Sequence, residues 1–501
     1  MIRRILVLFA CLFISYNAYN QSYNYWTRSF NEESSLLSGA VVGGGAGPSA
    51  IYYNPSSISE ITESKFSLHA SLFSFDFFDL KNALGTDIGL KSSKALIQPR
   101  FLSYMIQPKK SQKWSFEIAF LNNENYNLEL TRSVDKKIDI LQELPGDERY
   151  FAMFQFLNIY RDDWFGFGGS LKISPELFFG TSLFVSVKHL EYRWNVDIEA
   201  YPLSDSVFIN NNPVSFYSAS YQEVEYVKFN NYRLLWNIGL LYKKSNFSFG
   251  LCIKASSINV YSEAKKNAKK EKQSNISSPY SDEFLPDYII ADYQEKKDVS
   301  VNFKDPFSIA AGFTYYSPDD KRTFFSTIEY FGGIDPYKII EANENPDLAS
   351  GTLFEDLKYH EWLSFVQGAK PVLNAAVGYR WQVREKLMIM GGFRTDFNYR
   401  KDFDYGEYSG FNIMKGLNLD LYHLTGGVNI TILGQDLIAG LQYSFGNENG
   451  QKELINLSEP IEFNTIENAA LQGARENNMN IFYNELSLYF GATFNFGKKK
   501  D

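Results

Sequence analysis

Few residues of this chain combine a reactive side chain with a spacing that catalysis would need. The four histidines are at positions 69, 189, 360 and 423, and none belongs to a His-Glu-x-x-His pattern, which holds zinc on one helix face. No Gly-x-Ser-x-Gly sequence is present to expose a nucleophilic serine. His423 lies near the end of an alternating apolar and polar segment, where we predict an inward-facing, hydrogen-bonded side chain. We therefore predict that the protein is not an enzyme and needs no metal or cofactor.

The glycine-rich run from Ser38 to Pro48 raises the alternative of a phosphate-binding loop. Such a loop ends in Gly-Lys-Ser/Thr, or has the form Gly-x-Gly-x-x-Gly between a strand and a helix. Neither form is present, and no helical pattern follows. Glycine also permits close backbone packing, and Asn54-Pro55 marks a fixed turn because proline excludes the helical region for the residue before it. We predict that residues 21–64 form a compact plug.

Alternation of apolar and polar residues, which is typical of strands, recurs from about residue 65 to residue 497. In the last segment, Leu486, Leu488 and Phe490 share one predicted face, while Ser487 and Tyr489 share the other. We assign the segments near 150–161 and 163–173 to separate strands. The pattern predicts an all-β fold, a transmembrane antiparallel β-barrel of about fourteen strands, with an even number expected.

A soluble β-sandwich is the alternative fold, because its outer face would also carry polar residues. Its strands are typically about five or six residues long, whereas many of these segments reach about ten, as in membrane barrels. The 34 tyrosines and 43 phenylalanines would demand a very large core in a soluble protein. In a membrane barrel they form the lipid-facing surface and the aromatic girdles. The composition therefore favours the barrel.

The connections between the predicted strands are alternately short and long. Short ones include 242–246, 317–320 and 383–385, and the long ones are 130–149, 200–221, 262–296, 332–370, 400–418 and 446–484. In membrane barrels the short turns face the periplasm and the long loops face outside. The lysine-rich stretch Lys265–Lys272 lies in one long loop, which we interpret as solvated, with contact to anionic surface lipid as the alternative.

The N-terminus predicts export. Arg3 and Arg4 precede an apolar run at 5–14, and this is the layout of a signal peptide, assigned to residues 1–20. Cys11 lies within a sequence similar to a lipoprotein acylation box, but we favour cleavage without lipidation. Cys252 is then the only remaining cysteine, so no intramolecular disulfide forms. The net charge of −9 gives no reason to expect a nucleic-acid partner.

The glycine-rich stretch followed by Ser49 to Ser56 and then by a barrel resembles the FadL/TodX-like family of outer-membrane transporters. That resemblance implies a bacterial outer-membrane location and an N-terminal hatch that plugs the barrel. Asn54 and Pro55 match the Asn-Pro-Ala motif of the family hatch, and Ser56 replaces its alanine. The candidate hatch and gating residues are Gly43, Gly44, Gly45, Gly47, Asn54, Pro55 and Ser56.

Charged residues on the predicted inward faces are the remaining site candidates. Lys172, Arg380, Arg394 and Glu329 could line a polar path or hold the plug through ion pairs. We favour ion pairs, because an unpaired buried charge is costly. The family resemblance adds another hypothesis, in which Lys172, Arg380 or Arg394 contacts the carboxylate headgroup of a ligand.

The resemblance implies passive transport of a hydrophobic compound such as a long-chain fatty acid, with hatch gating and a lateral exit through the barrel wall. Membrane lipids would surround the barrel, and residues 498–501 would form a charged tail. Two alternatives remain. A barrel of this kind could instead be a scaffold for binding or protein secretion. An outer-membrane hydrolase is the third hypothesis, because a site assembled from distant Ser, His and acidic residues leaves no local motif.

Overall fold

The computed structural model describes most of the chain after the predicted signal peptide. The described residues are 23–108, 113–141, 146–203, 207–209, 212–214, 218–263, 269–276, 301–341, 364–401, 413–465 and 469–495. The predicted signal peptide and the charged tail 498–501 lie outside these residues.

Fourteen antiparallel strands form one closed barrel, as the alternation predicts. They are β1 Lys65–Lys81, β2 Leu90–Ile106, β3 Trp114–Ile138, β4 Glu148–Lys172, β5 Leu177–Pro202, β6 Ala219–Lys244, β7 Phe247–Lys254, β8 Ser308–Tyr316, β9 Arg322–Phe331, β10 Val372–Arg384, β11 Leu387–Asp396, β12 Leu421–Ile432, β13 Gln435–Gln451 and β14 Met479–Asn495. Each strand pairs with its neighbours along the chain. The ring closes between β1 and β14, where Lys65 pairs with Asn495.

The strands have one inward and one outward face because side chains alternate across a pleated strand. On β14, Phe490 is 55% exposed and Tyr489 only 1%, so the faces predicted from the sequence are confirmed. In the half of the barrel where β1 begins and β14 ends, the outward side chains are mostly large and apolar, including Phe165, Phe167, Leu183 and Trp236. An apolar outer band over a polar interior is the arrangement of a membrane barrel.

All of the tight turns lie at one end of the barrel, which we call the turn end. It also holds the start of β1 and the end of β14. The long connections lie at the opposite end, called the loop end. This distribution confirms the predicted alternation of short and long connections.

Four neighbouring strands, β3 to β6, are 25 or 26 residues long, whereas β7, β8 and β9 have eight to ten. The prediction of separate strands near 150–161 and 163–173 was wrong, because both segments belong to β4. The predicted loop 130–149 likewise begins too early, since β3 continues to Ile138. On β5, the outward residues change from Val185 and Val187 to His189 and Glu191. Beyond the apolar band the outward face of β5 is polar, while its inward face carries the buried apolar residues Leu190, Tyr192 and Trp194. On β4 the charged run Arg161-Asp162-Asp163 interrupts the pattern and makes one strand look like two.

Short strands extend the barrel at its loop end. Ile258–Glu263 and Lys269–Ile276 both pair with the upper part of β6. Lys269 to Lys272 are therefore part of a strand, and the prediction that the whole lysine-rich stretch forms a loop was wrong. Residues 264–268 lie outside the described part. Three further two-stranded pairs join Val207–Ile209 to Asn212–Val214, Ile334–Ile340 to Phe365–Ala369, and Phe463–Asn464 to Ala469–Ala470.

The barrel wall has an open seam between β2 and β3. These strands pair only from Phe101–Leu121 down to Ile106–Phe116. Above that level, β2 pairs with β1 up to Leu90, while β3 pairs with β4 up to Ile138. In the described residues, no backbone pairing joins 90–100 to 122–138. Lys94 crosses the seam through its side chain, with its Nζ atom donating to Asn127 Oδ1 at 2.6 Å.

Residues 23–64 form no barrel strand and lie inside the ring; we call them the plug. The plug contains two α-helices, α1 Glu32–Leu36 and α2 Ala50–Tyr53, and two 3-10 turns, Gly47–Ser49 and Pro55–Glu60. These helices are single turns, too short to show a helical pattern in the sequence. Within the described residues, no helix has the length and apolar character to cross a membrane.

Candidate functional site

The plug is bonded to inward-facing hydroxyl groups on several strands. These hydroxyls donate to plug carbonyls at 2.7–3.3 Å: Ser103 to Pro48, Ser170 to Ser56, Ser182 to Ile51 and Thr425 to Leu36. Individual neutral hydrogen bonds contribute about 0.5–1.5 kcal/mol each. Because these four hydrogen bonds come from four different strands, the plug is attached to the wall at several points, and each attachment is weak.

The candidate hatch glycines lie where the plug meets the wall most closely. A Cβ atom on Gly43 would be 2.7 Å from the backbone nitrogen of Phe313, so the plug and β8 approach backbone to backbone. Gly44 has a φ of 119°, which L side chains rarely adopt. Gly45 packs on the Phe325 ring, and Gly47 lies near the Asn31 amide. These contacts explain the run of glycines, while their part in gating stays a prediction.

Asn54 joins three parts of the plug and wall. Its Nδ2 atom donates to the carbonyls of Val42, at 2.9 Å, and Leu240, at 3.1 Å. Its Oδ1 atom accepts from the Ser56 backbone at 3.2 Å and from the Ser56 hydroxyl at 2.6 Å. Pro55 then packs against Gly180 and Gly239 of the wall. Serine in place of the family alanine therefore adds a hydrogen bond that closes this turn.

The three cations proposed as ligand contacts lie in separate places. Arg394 is buried and donates to Ser29 and to the Thr27 carbonyl of the plug. Arg380 lies 3.8 Å from the Glu33 carboxylate, also in the plug. Lys172 is exposed at the turn end of β4, with its ammonium over the Phe178 ring. Arg394 and Arg380 thus contact the plug, and a headgroup role for any of the three remains a prediction.

Glu329 also contacts the plug. Its carboxylate accepts from Trp26 Nε1 at 2.8 Å and pairs with Lys254 at 2.9 Å.

A buried ion network links the plug to β2 and β14. The Glu485 carboxylate lies 3.4 Å from Arg28 of the plug and 3.8 Å from Arg100. Four hydroxyls also donate to it, from Ser74, Ser444, Tyr483 and Ser487, at 2.7–3.2 Å. All three charged side chains are nearly buried. Such a pair is stable when the remaining lone pairs are satisfied, and breaking it leaves an uncompensated charge.

A second ion network lies nearer the loop end. Arg233 bonds to Asp162 at 2.7 Å and also to Asp305, while Lys188 lies 3.6 Å from both carboxylates. Burial would raise the pKa of Asp305, but Arg233 and Lys188 hold it below its usual value. Both cations also approach the Phe303 ring. This network holds the chain before β8 against the inner wall.

The start of the plug lies at the loop end. Tyr25 stacks between Phe331 and Tyr399, with ring centroids 4.2 Å from each. Tyr23 donates to the Met414 carbonyl at 3.0 Å. The plug therefore runs through the lumen from the loop end to the turn end, where β1 begins.

A narrow pocket lies between the start of the plug and the wall. One side is apolar and includes Phe78, Leu417, Leu419 and Leu421. The other side carries charge from Arg28, Asp76, Glu124 and Glu485. Glu124 and Asn125 belong to the part of β3 that has left β2, so the pocket lies directly behind the seam.

The three histidines in the described part of the chain do not form a metal site. His423 Nδ1 contacts Ser444 Oγ at 2.8 Å within the lumen, which confirms the predicted inward-facing, hydrogen-bonded side chain. His69 packs on Tyr489, and His189 contacts Asn230. His360 lies outside the described residues. Among the residues that are described, no group of His, Cys, Asp or Glu could hold a metal ion.

No protein-family model and no curated protein matches this sequence. Solved structures match over almost its whole length. A Pseudomonas aeruginosa FadL homologue aligns with a TM-score of 0.55 at 12% identity, covering 95% of this chain and 100% of its own. The P. putida toluene transporter TodX aligns with a TM-score of 0.54 at 14% identity, covering 93% and 99%. This chain has the FadL/TodX fold.

The Ralstonia pickettii toluene transporter TbuX shares the FadL/TodX fold at a TM-score of 0.50 and 12% identity, covering 94% of this chain and 99% of that one. The resemblance inferred from the glycine-rich stretch and Asn54-Pro55 is thus confirmed for the fold.

Sequence reasoning missed the residues that line the pocket in this FadL/TodX fold. Nothing in the sequence marked Arg28 as a pocket residue, because it precedes the first segment with alternating apolar and polar residues. Asp76 and Glu485 could have been noticed as acidic residues on the inward face of otherwise aromatic segments. Glu124 could not, since β3 shifts its register between Asn122 and Glu124, which interrupts the alternation used to assign faces.

Proposed function

We propose that this protein is a passive transporter of hydrophobic compounds across the bacterial outer membrane, gated by the plug, with a lateral exit through the wall. The observation that carries the proposal is the pocket behind the β2–β3 seam. A hydrophobic molecule held there has an apolar wall on one side and a route toward the bilayer that crosses no backbone ladder. The plug occupies the lumen between this pocket and the turn end, and it would therefore block a direct aqueous path through the barrel.

Support for the ligand class comes from the solved structures with this fold. TodX and TbuX are toluene transporters, and both fatty acids and aromatic hydrocarbons are hydrophobic enough to leave water for a membrane. The outward aromatic band implies membrane lipids as the surrounding partner. Fatty acids are one candidate ligand within the wider class.

The uptake of a labelled hydrophobic compound into liposomes that contain the purified barrel tests the proposal. We expect uptake above that of empty liposomes, without any energy source. Uptake no faster than in empty liposomes, together with stoichiometric co-purification of protein partners, would favour the scaffold alternative.

Closing the seam should slow this uptake. Lys94→Cys and Asn127→Cys place thiols on either side, and a short bis-maleimide can join them in a Cys252→Ala background. Because the cross-link would span the gap through which the ligand leaves, we expect it to reduce uptake on the order of tenfold. The matched control is the same reagent on Lys94→Cys alone. Unchanged uptake through a fully cross-linked barrel would contradict the lateral exit.

A further inference from the structure

Two carboxylates in the pocket behind the seam, those of Asp76 and Glu124, form no ion pair with a described residue. Neither Asp76 nor Glu124 forms an ion pair within 4 Å in the described part of the chain, and both are at least nine-tenths buried. The only bond to the Asp76 carboxylate among the described residues is a long one, 3.5 Å from Ser74 Oγ. Burying an ionised carboxylate without a partner is costly. The pocket therefore has an unmatched acidic side.

The neighbouring cations are bound elsewhere. Arg28 donates to the Asn125 carbonyl at 2.8 Å and pairs with Glu485. Lys94 lies across from Asp76 in the β1–β2 register, but its ammonium bonds to Asn127 and lies 3.5 Å from Glu129. Lys188, which acts on Glu124 electrostatically, pairs with Asp162 and Asp305. Arg100, which also acts on Asp76 electrostatically, donates to the Tyr489 hydroxyl and lies 3.8 Å from Glu485. Each described cation that acts on Asp76 or Glu124 thus has another partner.

Unused hydrogen-bond acceptors belong to residues that line the same pocket. Glu124 is 9% exposed, and its Oε1 atom accepts no hydrogen bond from any described residue. The Oδ1 atom of the adjacent Asn125 is also without a donor. Both residues line the pocket opposite its leucines. A cationic donor in this pocket would lie beside carboxylates that have no ion pair, and the apolar wall can accommodate a hydrocarbon.

We infer that this pocket binds an amphipathic molecule with a protonated amine headgroup. The ammonium lies between the Asp76 and Glu124 carboxylates and donates to them, while the hydrocarbon lies against Phe78 and the leucines. The inference rests on the proposed transport function and specifies its ligand class. An anionic headgroup is disfavoured, since it would approach two carboxylates, and a plain hydrocarbon leaves both acceptors unsatisfied.

Calorimetric binding to the full-length barrel in lipid nanodiscs tests the inference. The probes are octylamine, octanol, octanoate and toluene at neutral pH, each corrected for partitioning into empty nanodiscs. We expect octylamine to bind about tenfold more tightly than octanol, and octanoate more weakly than octanol, as charge-assisted bonds to a partly buried site predict. This comparison uses the unaltered protein and needs no variant to fold.

Variants locate the site. Glu124→Gln and Asp76→Asn should each weaken octylamine binding about tenfold and change octanol binding less than about twofold, since only the charge is removed. Asp79→Asn is the matched control, because it is an outward carboxylate on the same strand as Asp76 and pairs with Lys91. Heat-modifiable electrophoretic mobility verifies that each variant has folded.

The outcomes separate the two proposals. Octanol and toluene binding without any preference for octylamine would overturn the amine inference and leave hydrophobic transport supported. Octylamine binding that survives the double variant would also overturn it, because the amine would then bind elsewhere. Failure of all four probes to bind would count against the transport proposal itself.

Discussion

Joining the plug to the wall by a disulfide should stop the uptake of hydrophobic compounds. The Ser59 and Ser170 hydroxyl oxygens are in direct contact, so thiols in Ser59→Cys and Ser170→Cys would lie close enough to form a bond without large backbone movement. The bond would tie the last turn of the plug to β4. If transport requires the plug to move, oxidation should lower the uptake rate on the order of tenfold or more.

This experiment provides its own reversal. Reductant should restore uptake in the same liposomes, which separates locking from misfolding. The background is Cys252→Ala, and the matched control is Ser59→Cys alone under the same oxidant. If the disulfide forms quantitatively and uptake is unchanged, the plug is a static part of the wall and its gating role is wrong.

Glu485→Ala should be the most destabilising single substitution in the lumen. It leaves Arg28 and Arg100 buried without their carboxylate, and it removes the acceptor for four hydroxyl groups. Removing one partner of a buried pair costs about 3–5 kcal/mol, more than the pair itself contributes, because the remaining charge is uncompensated. Guanidinium unfolding of the barrel in detergent, followed by tryptophan fluorescence, measures the change.

An exposed ion pair supplies the comparison. Asp135 bonds to Arg149 at 2.7 Å, yet both side chains are nearly half exposed. Water and salt screen that pair, so Asp135→Ala should leave the unfolding midpoint almost unchanged. The Glu485→Gln variant keeps the size and the hydrogen-bonding capacity of the side chain while removing its charge, and it should fall between the two. Equal effects from Glu485→Ala and Asp135→Ala would show that the lumen network is solvated.

The two buried networks bear on how transport can be controlled. Glu485 and Arg28 hold the start of the plug against β14, and the hydroxyl bonds from Ser170 and Ser182 hold its end. An ion pair between Glu60 and Lys243 also ties the end of the plug to β6, and the Lys243 side chain is about one-third exposed. The plug is therefore attached by charge near both ends, and the Ser59–Ser170 disulfide would act at the more exposed attachment.

The sequence by itself determined the wall of this protein. Period-two alternation, as in Leu486 to Phe490, requires one apolar and one polar face in a strand, and the aromatic content requires an apolar surrounding. The glycine-rich stretch and Asn54-Pro55 also predicted a compact segment before the first strand, since local backbone geometry depends on the residues themselves. Alternation failed on β4 because the charged run Arg161 to Asp163 interrupts it, and on Lys269 to Lys272 because all four of those residues are charged.

Only the tertiary structure decided what the lumen contains. Arg28 and Glu485 are 457 positions apart, and ring closure brings them together because β1 pairs with β14. The seam likewise depends on the tertiary structure. The sequences of β2 and β3 both indicate ordinary strands, and neither shows that the two strands stop pairing with each other. Asp76 and Glu124 lie on different strands, and their lack of a cation depends on which partners the surrounding arginines and lysines have found. Side-chain chemistry was visible in the sequence, but long-range pairing set which charges meet and which do not.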